Sequence, residues 1–403
     1  MKSKIRTLML GVVASLLMLY LLDPYVPDFG LIAFQKPPSS SASGAEVLLT
    51  MQSMHHWVDF KPFRIPSGAV VIAQTRSASA EQLINPKYAL MAPRSKIHDS
   101  ISVRFIGPGE SAPVSKTIFD AVYTTDEVSR RTTVPAGPAE KATAQIAFLG
   151  CSFTWGSGVD DTETFSSIVA QKLPTVRVLN LGIRGGAPND FIDDLTENPQ
   201  RLKPVDGVKK GVVVLTMIAD HIERALCKTR CYTEPTPFKA LLPTGPFRLD
   251  KTRYVLHEGT LTSAGSFRGE GEWLTNLKTL TFKSRILTKL YYDYSGYPSA
   301  DDLYLFAKMV ERVRDLAIKE TGHDFVVAFF PDGESRSTMK LLKLFDELHI
   351  SYFDYSKLRF DETLGHRAFY EIDRHPTAIG HAAYAELLLR DLRKRTPALF
   401  DSN

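Results

Sequence analysis

The sequence has few of the residues that build metal centres and disulfide frameworks. Among its 403 residues are only three cysteines, Cys151, Cys227 and Cys231. Since no further ligands stand at fitting spacings, we expect no metal ion and no other cofactor. Cys227 and Cys231 are close enough in sequence to form a local disulfide in an exported protein, with two free thiols as the alternative.

The sequence also lacks a run of lysine and arginine interleaved with aromatic residues. Its formal net charge is +4, and basic and acidic residues are interspersed along the chain. Because nucleic-acid binding requires a concentrated basic surface, no nucleic-acid partner is expected. Hydrophobic residues make up 44% and charged residues 23% of the chain, which is typical of a globular protein and argues against long disorder.

A charged tip followed by an apolar stretch marks the N-terminus. Lys2, Lys4 and Arg6 precede residues 8–22, which carry no charge. This order is typical of a secretory signal, and bulky residues occupy the place where a cleavage site would need small ones. We therefore expect an uncleaved signal-anchor helix in the membrane, with a cleaved peptide as the alternative. The positive-inside rule then predicts a periplasmic location for the rest of the chain.

Composition divides the chain into several parts. Residues 1–30 would be the cytoplasmic tip and anchor helix, and residues 31–44 a linker. In residues 45–140 short apolar runs are broken by proline, glycine and serine, which predicts a small β-rich domain. In residues 141–403 short apolar runs alternate with helical periodicity, which predicts an α/β domain with a parallel sheet covered on both faces. Residues 227–280 interrupt this alternation and are predicted to be an insertion or lid.

The first of three motifs that follow predicted strands is Gly150–Cys151–Ser152. In a parallel sheet the active groups gather at the carboxyl ends of the strands. A serine at such a strand-to-helix turn lies beside the free N–H groups of a helix N-terminus, which can stabilise an oxyanion. Ser152 is therefore the candidate nucleophile, and a helix N-cap is the alternative.

The second motif, Asp373–Arg374–His375–Pro376, stands just before a long amphipathic stretch. A serine hydroxyl is inert at its free pKa, so an imidazole must take its proton while a carboxylate orients the ring. His375 and Asp373 are the candidates for these two roles, with helix capping as the alternative for Asp373. His381, about one helical turn further on, is expected to be structural.

The third motif is the glycine-rich turn from Asn180 to Gly186, directly after a predicted strand. Glycine lets backbone N–H groups approach a substrate oxygen closely. An ordinary turn between strand and helix is the alternative. Arg184, within this turn, is expected on the solvated surface, with contact to an anionic substrate as the alternative.

Together these segments resemble the SGNH (GDSL-like) hydrolases of the bacterial membrane-anchored envelope type. GCSFTWGSG resembles their block I, NLGIRGG their block II and DRHPTAIGH their block V, in that order along the chain. The resemblance covers roughly residues 145–395. It implies a flavodoxin-like three-layer sandwich and Gly185 as an oxyanion donor.

The chain departs from this family at block III, where an asparagine is expected to donate to the oxyanion. Asp220 aligns most simply with that asparagine, and a carboxylate there would repel an oxyanion unless it is protonated. His221 is a candidate replacement donor, with Asp220 orienting it. Asn189, a few residues after Gly185, is a second candidate, with loop capping as the alternative.

The resemblance implies a serine esterase or O-acyltransferase that acts on ester-linked acyl groups of a small molecule or an envelope glycan. The alternative is a catalytically weak or inactive protein of the same fold that binds a polysaccharide or an envelope protein partner. The missing asparagine of block III supports this alternative. In a third possibility, Cys151 is a thiol nucleophile.

Overall fold

The computed structural model describes a large part of the chain, in fourteen segments that leave the predicted anchor outside. The described residues are 34–35, 46–49, 70–78, 83–85, 90–106, 111–112, 114–135, 141–204, 206–227, 250–270, 298–331, 335–364, 368–370 and 374–400. No helix within these segments combines the length and the apolar character needed to cross a bilayer. The signal-anchor at residues 1–30 lies outside them, so membrane anchoring and export stay predictions.

The N-terminal part of the described chain is built from strands and turns. Its strands are β1 (Phe34–Gln35), β2 (Glu46–Leu49), β3 (Val70–Ala78), β4 (Leu83–Asn85), β5 (Leu90–Met91), β6 (Lys96–Ile106) and β7 (Val114–Thr124). Five of them form an antiparallel sheet in the order β1-β2-β3-β6-β7, and β4 pairs with β5.

The edge strand β7 is covered at its C-terminal end by two carboxylates. The Val122 N–H donates to Asp160 over 2.7 Å, and the Thr124 N–H donates to Asp161 over 3.2 Å. An unpaired strand edge invites pairing with another chain, so these side chains also protect the edge. These two contacts join the antiparallel sheet to the segment around Asp160 and Asp161, which belongs to the α/β unit described next.

The rest of the chain is an α/β unit. Its strands are β8 (Ala144–Gly150), β9 (Val176–Gly182), β10 (Lys210–Met217), β11 (Thr252–His257), β12 (Thr260–Ser266), β13 (Asp324–Phe329) and β14 (Tyr352–Phe353). Five of these strands form a parallel sheet in the order β14-β13-β10-β8-β9. The prediction of an α/β fold with a parallel sheet is therefore confirmed.

Eight helices are described in this unit: α1 (Ser152–Trp155), α2 (Phe165–Lys172), α3 (Pro188–Glu197), α4 (Asp220–Leu226), α5 (Ala300–Thr321), α6 (Arg336–Glu347), α7 (Phe360–Thr363) and α8 (Ala378–Arg395). Helices α3, α4, α5 and α6 contribute to one buried apolar cluster, and α2, α7 and α8 to another. Strand β8 lies between them, with Ala147 and Leu149 in the first cluster and Ile146 and Phe148 in the second. Because successive strand residues face opposite sides, this alternation produces three layers.

Within residues 227–280, which were predicted to be an insertion, β11 and β12 form a β-hairpin. Glu258 and Gly259 make its two-residue turn, and both have positive φ angles of 50° and 77°. Two positive φ angles define the type I′ turn, whose twist matches that of the paired strands. The hairpin begins directly after Lys251, and its first strand contacts α3. It therefore brings residues of the insertion close to the turn that follows β9.

Candidate active site

Ser152 occupies the turn between β8 and α1, at the carboxyl edge of the parallel sheet. Cys151 holds the N-cap position, so Ser152 is the first helical residue and not a cap. Its backbone N–H makes no hydrogen bond to any described residue, as expected for the first turn of a helix. Ser152 is only 7% exposed, so its hydroxyl lies in a largely dehydrated position.

His375 meets Ser152 across 223 positions of sequence. Its Nε2 lies 2.7 Å from the Ser152 Oγ, which is hydrogen-bond distance. The backbone carbonyl of His375 accepts from the Tyr370 N–H over 2.8 Å, and the ring lies beside that of Phe153 at 5.4 Å between centroids. The hydroxyl and the imidazole are thus in position for proton transfer. Asp373 lies outside the described residues, so its orienting role stays a prediction.

The turn that carries Ser152 packs against its neighbouring strands too closely to admit side chains. A Cβ on Gly150 would lie 2.0 Å from the Thr154 hydroxyl, and one on Gly182 would lie 2.3 Å from the Trp155 nitrogen. Glycine at position 150 therefore makes room for the Thr154 hydroxyl, and glycine at position 182 lets α1 approach β9. The Thr154 hydroxyl is hydrogen-bonded to that of Thr216 on β10.

Asn180, on β9, is a buried residue that ties this turn to the sheet. Its side-chain amide donates to the Thr154 carbonyl over 2.7 Å, and its side-chain oxygen accepts from the Gly182 N–H over 3.0 Å. The residue belonged to the predicted glycine-rich motif, but no role was predicted for it. A fully buried polar side chain with such partners fixes backbone geometry.

Arg131 is the residue near the site that sequence reasoning missed. Its fully buried guanidinium donates to the carbonyls of Trp155 and Gly156 at 3.0 Å each and to that of Val159 at 2.8 Å, and it binds the Asp161 carboxylate at 2.6 Å. Burial lowers the pKa of Arg131, and the charge of Asp161 opposes that shift. An isolated arginine in the segment predicted to be a small β-rich domain gives no local signal for such a role.

The turn carrying Gly185 runs from Ile183 to Gly186. The Gly186 N–H donates to the Ile183 carbonyl over 2.7 Å, and Gly185 has a φ angle of 71°. The Gly185 N–H has no hydrogen-bond partner among the described residues. Its carbonyl accepts from the Lys251 Nζ over 3.0 Å.

The expectation that Arg184 lies on the solvated surface is wrong. Its side chain is 9% exposed, and its Nη2 lies 3.4 Å from the Asp99 carboxylate on β6. The guanidinium also lies over the Tyr123 ring, 5.9 Å from its centroid. Arg184 therefore joins the glycine-rich turn to the antiparallel sheet, because its counter-ion comes from a strand 85 positions earlier.

The block III residues are arranged differently from the expectation. His221 is fully buried and packs edge-on against Phe191, and neither of its ring nitrogens has a hydrogen-bond partner among the described residues. Asp220 instead pairs with Arg224, one turn along α4, at 3.5 Å. The prediction that Asp220 orients His221 is therefore wrong. Burial, with the charges of Arg224 and Lys251, holds the pKa of His221 well below its ordinary value, so its ring is neutral.

Helical periodicity accounts for the placement of His221. On α4 the buried positions are His221, Ile222, Arg224 and Ala225, so the imidazole is carried on the face that packs into the protein. A ring with no exposed surface has no access to a substrate in this arrangement. Its role as an oxyanion donor is not supported by its position.

Asn189 is buried on α3 and its amide holds the insertion. The Asn189 Nδ2 donates to the Thr252 carbonyl of β11 over 3.1 Å. This contact stabilises the hairpin against α3 and assigns the side chain a structural task. It gives no support to the prediction that Asn189 compensates for the missing asparagine of block III.

The cysteines fall into two environments. Cys227 is disulfide-bonded, whereas Cys231 lies outside the described residues, so their pairing stays a prediction. Cys151 is a free thiol only 1% exposed. Over the described ranges, no three side chains of His, Cys, Asp or Glu are grouped as a metal ion would require.

Comparison with known proteins adds little to this geometry. No protein-family model and no curated protein matches the chain. A member of the lipolytic protein G-D-S-L family from Veillonella parvula is similar over 61% of this chain and 97% of its own, at 13% identity and a TM-score of 0.33. A protein described as lipolytic and of the G-D-S-L family, from Desulfitobacterium hafniense, is similar over 61% and 98%, at 9% identity and a TM-score of 0.31. At such values the likeness carries no argument about activity, which rests on the site itself.

Proposed function

We propose that this protein is an SGNH-type serine esterase acting on ester-linked acyl groups. The observation that carries the proposal is the 2.7 Å contact between the His375 Nε2 and the Ser152 Oγ at the carboxyl edge of a parallel sheet. A hydroxyl in contact with an imidazole, beside free N–H groups of a helix N-terminus, is the arrangement that acyl transfer requires.

The reaction would proceed in two displacements. The His375 Nε2 takes the Ser152 proton as the Oγ attacks the ester carbonyl, and the N–H groups of Ser152 and Gly185 bind the oxyanion. The imidazolium then gives its proton to the leaving alcohol, which departs and leaves the acyl group on Ser152. Water, or the hydroxyl of an acceptor, attacks this acyl-enzyme with His375 again as base. The imidazolium then returns the proton to the Ser152 Oγ as the bond between Ser152 and the acyl group breaks, which releases the acid or the newly acylated acceptor. Asp373 is proposed to orient the imidazole.

The proposed substrate class is an O-acylated glycan of the cell envelope, with hydrolysis or transfer of the acyl group. Its support is the charged tip and apolar stretch at the N-terminus, which would place the site outside the cytoplasm and anchored to the membrane. Transfer and hydrolysis share the same acyl-enzyme, so acetylated sugars with and without an acceptor glycan would distinguish them.

A serine-directed fluorophosphonate tests the nucleophile. We expect the full chain to be labelled, Ser152→Ala to lose labelling, and His375→Gln to lose most of it. Cys151→Ala is the matched control, since it changes the adjacent buried residue and should keep both labelling and hydrolysis of an aryl acetate. Labelling that survives Ser152→Ala, or disappears in Cys151→Ala, would contradict the assignment.

The block III geometry favours a second candidate function, that of a binding protein with little activity. Losing one oxyanion donor costs about 10²–10³ in rate, and neither Asp220 nor His221 is placed as a replacement. This candidate predicts saturable binding of an acetylated polysaccharide with no labelling of Ser152 by the fluorophosphonate. Labelling of the wild-type protein would exclude it.

A further inference from the structure

The turn that carries Gly185 is held at two points by charged side chains from outside the parallel sheet and its helices. One is Lys251, just before the hairpin of the insertion, which binds the Gly185 carbonyl. The other is Asp99 of β6, in the antiparallel sheet, which binds the Arg184 side chain. The two anchors come from different parts of the chain and bind the neighbouring residues Arg184 and Gly185.

The backbone of this turn explains why such anchors matter. Arg184 is absent from the residues with positive φ, Gly185 has a φ of 71°, and the Gly186 N–H closes the turn on Ile183, which together define a type II turn. The proposed oxyanion donor, the Gly185 N–H, belongs to the central peptide of that turn. Rotation of this peptide converts type II into type I and points the N–H to the opposite side.

The local sequence does not prevent that rotation. Glycine adopts negative and positive φ about equally well, so Gly185 is tolerated in either turn type. The rotation changes ψ of Arg184 and φ of Gly185 but leaves the Arg184 side chain and the Gly185 carbonyl almost in place. The two anchors therefore fix where the whole turn lies, and with it the position of the Gly185 N–H relative to Ser152.

Lys251 is bound tightly enough to serve as an anchor. Its side chain is 4% exposed, and its Nζ lies 2.5 Å from the Asp190 carboxylate on α3 as well as 3.0 Å from the Gly185 carbonyl. The same carboxylate accepts from the Ala187 N–H over 2.8 Å, which fixes the start of α3. Because Asp190 neutralises the ammonium charge, Lys251 acts on the turn through geometry more than through its field.

Asp99 is anchored in turn by the antiparallel sheet. It is fully buried, and the Tyr123 hydroxyl donates to it over 3.2 Å. The same hydroxyl accepts from the Gly158 N–H over 2.8 Å, after the end of α1. The Asp99–Tyr123 pair thus contacts both segments that supply the proposed oxyanion donors.

We propose that Lys251 and Asp99 are positioning residues of the esterase site, which fix the Gly185 turn in place and so set the position of its N–H relative to Ser152. The proposal rests on the proposed function. It assigns the insertion and the antiparallel sheet a direct part in the geometry of the site.

The test compares two double variants in the full chain. Lys251→Met with Asp190→Asn removes the anchor without leaving an unpaired buried charge, and the asparagine oxygen still accepts from Ala187. The matched control is Arg201→Met with Asp194→Asn, which removes another almost fully buried ion pair of α3, bonded to the Ser129 carbonyl and not to the Gly185 turn. Each protein is assayed for hydrolysis of p-nitrophenyl acetate, for the fluorophosphonate labelling rate and for its melting temperature.

We expect the Lys251 pair to lower kcat and the labelling rate about 10-fold to 100-fold, with KM nearly unchanged, because displacing a catalytic group by about 1 Å costs up to about 100-fold. The control pair should lower the melting temperature by a similar amount and leave kcat at the wild-type value. Should the Lys251 pair fail to fold, Asp99→Asn tests the second anchor, and we expect a smaller fall in kcat at constant KM.

Two results would overturn the proposal, and they are distinguishable. A wild-type protein that neither hydrolyses the ester nor is labelled would remove the proposed function and the positioning role with it. If the wild type is active and the Lys251 pair has the same kcat, only the positioning role is excluded. Where the Lys251 pair does not fold, an unchanged kcat in Asp99→Asn excludes it.

Discussion

Replacing Arg131 with methionine would remove the guanidinium that binds the end of α1. Methionine retains most of the apolar volume beside the Tyr123 and Trp155 rings, over which the guanidinium carbon lies at 4.4 Å and 5.5 Å from the centroids. The change therefore removes donors and charge more than it removes packing. It leaves the carbonyls of Trp155 and Val159 and the carboxylate of Asp161 without their buried partner.

The expected loss follows from the groups that are left unpaired. Breaking a buried ion pair by removing one partner costs about 3–5 kcal/mol, and Asp161 keeps its contacts with Thr124, so the lower part of that range applies to the pair. The Trp155 and Val159 carbonyls are also left unbonded, whereas that of Gly156 still accepts from the Val159 N–H. Adding these two carbonyls at the low end of about 1–3 kcal/mol each gives a loss of about 5 kcal/mol for Arg131→Met. Arg131→Lys keeps a charge but not the planar fork of donors, so we expect about half that loss.

Urea unfolding followed by circular dichroism measures these losses, and fluorophosphonate labelling of the folded fraction measures their effect on Ser152. Arg130→Met is the matched control, because the neighbouring guanidinium is also buried but binds Asp126 and the Arg201 carbonyl. We expect the control to lower stability while labelling of the folded protein stays at the wild-type rate. An unfolding free energy for Arg131→Met within about 1 kcal/mol of wild type would refute the reasoning, since breaking a buried pair should cost more.

Three further predictions concern single residues. Burial lowers the pKa of His381 to about 3 from 6.5, so the unfolded chain binds a proton between these values and the folded chain does not. Acidification below about pH 6.5 therefore destabilises the folded state by about 1.4 kcal/mol per pH unit, and His381→Asn should reduce this slope in urea unfolding by that amount; an unchanged slope would contradict the assignment. Gly182→Ala should lower both the melting temperature and Ser152 labelling, because its Cβ would lie 2.3 Å from the Trp155 nitrogen, and normal labelling would show that the turn adapts. Gly185→Ala should cost about 1–2 kcal/mol at its positive φ and lower kcat more than KM, whereas a larger effect on KM would point to a role in substrate binding.

The local patterns of the sequence predicted the elements that carry the chemistry. The Gly150–Cys151–Ser152 motif after an apolar run indicated a strand-to-helix turn, and the amphipathic stretch after Pro376 indicated a helix, because such signals depend on near neighbours in the chain. The structure has β8 followed by α1, and Thr377 at the N-cap of α8. Parallel pairing then brings strand ends to one edge.

The partners of charged side chains were beyond the reach of the same reasoning. Arg184 was expected in solvent because an arginine in a glycine-rich turn is commonly exposed, yet its partner Asp99 lies 85 positions away. Lys251 and Asp190 are 61 positions apart, and nothing in the insertion indicates that one of its lysines is buried. Periodicity predicts which face of an element is buried, but it does not identify the counter-ion on another element.

Block III shows the limit of alignment by motif. Asp220 was aligned with the family's asparagine as the simplest match, and His221 was predicted to be a replacement donor that Asp220 orients. The helix begins at Asp220, so the next residue rotates by about 100° around the axis, and His221 enters the core beside Phe191.

The position of Cys151 allows local opening of the turn that carries Ser152 to be measured. The thiol is free, is 1% exposed and belongs to the residue directly before Ser152. A reagent that alkylates thiols reaches such a sulfur only during a transient opening of the surrounding structure, so its reaction rate under native conditions counts those openings. An acyl donor or inhibitor that makes the turn more rigid would then slow the alkylation. The alkylation rate of Cys151 would therefore report how often the turn that carries Ser152 opens.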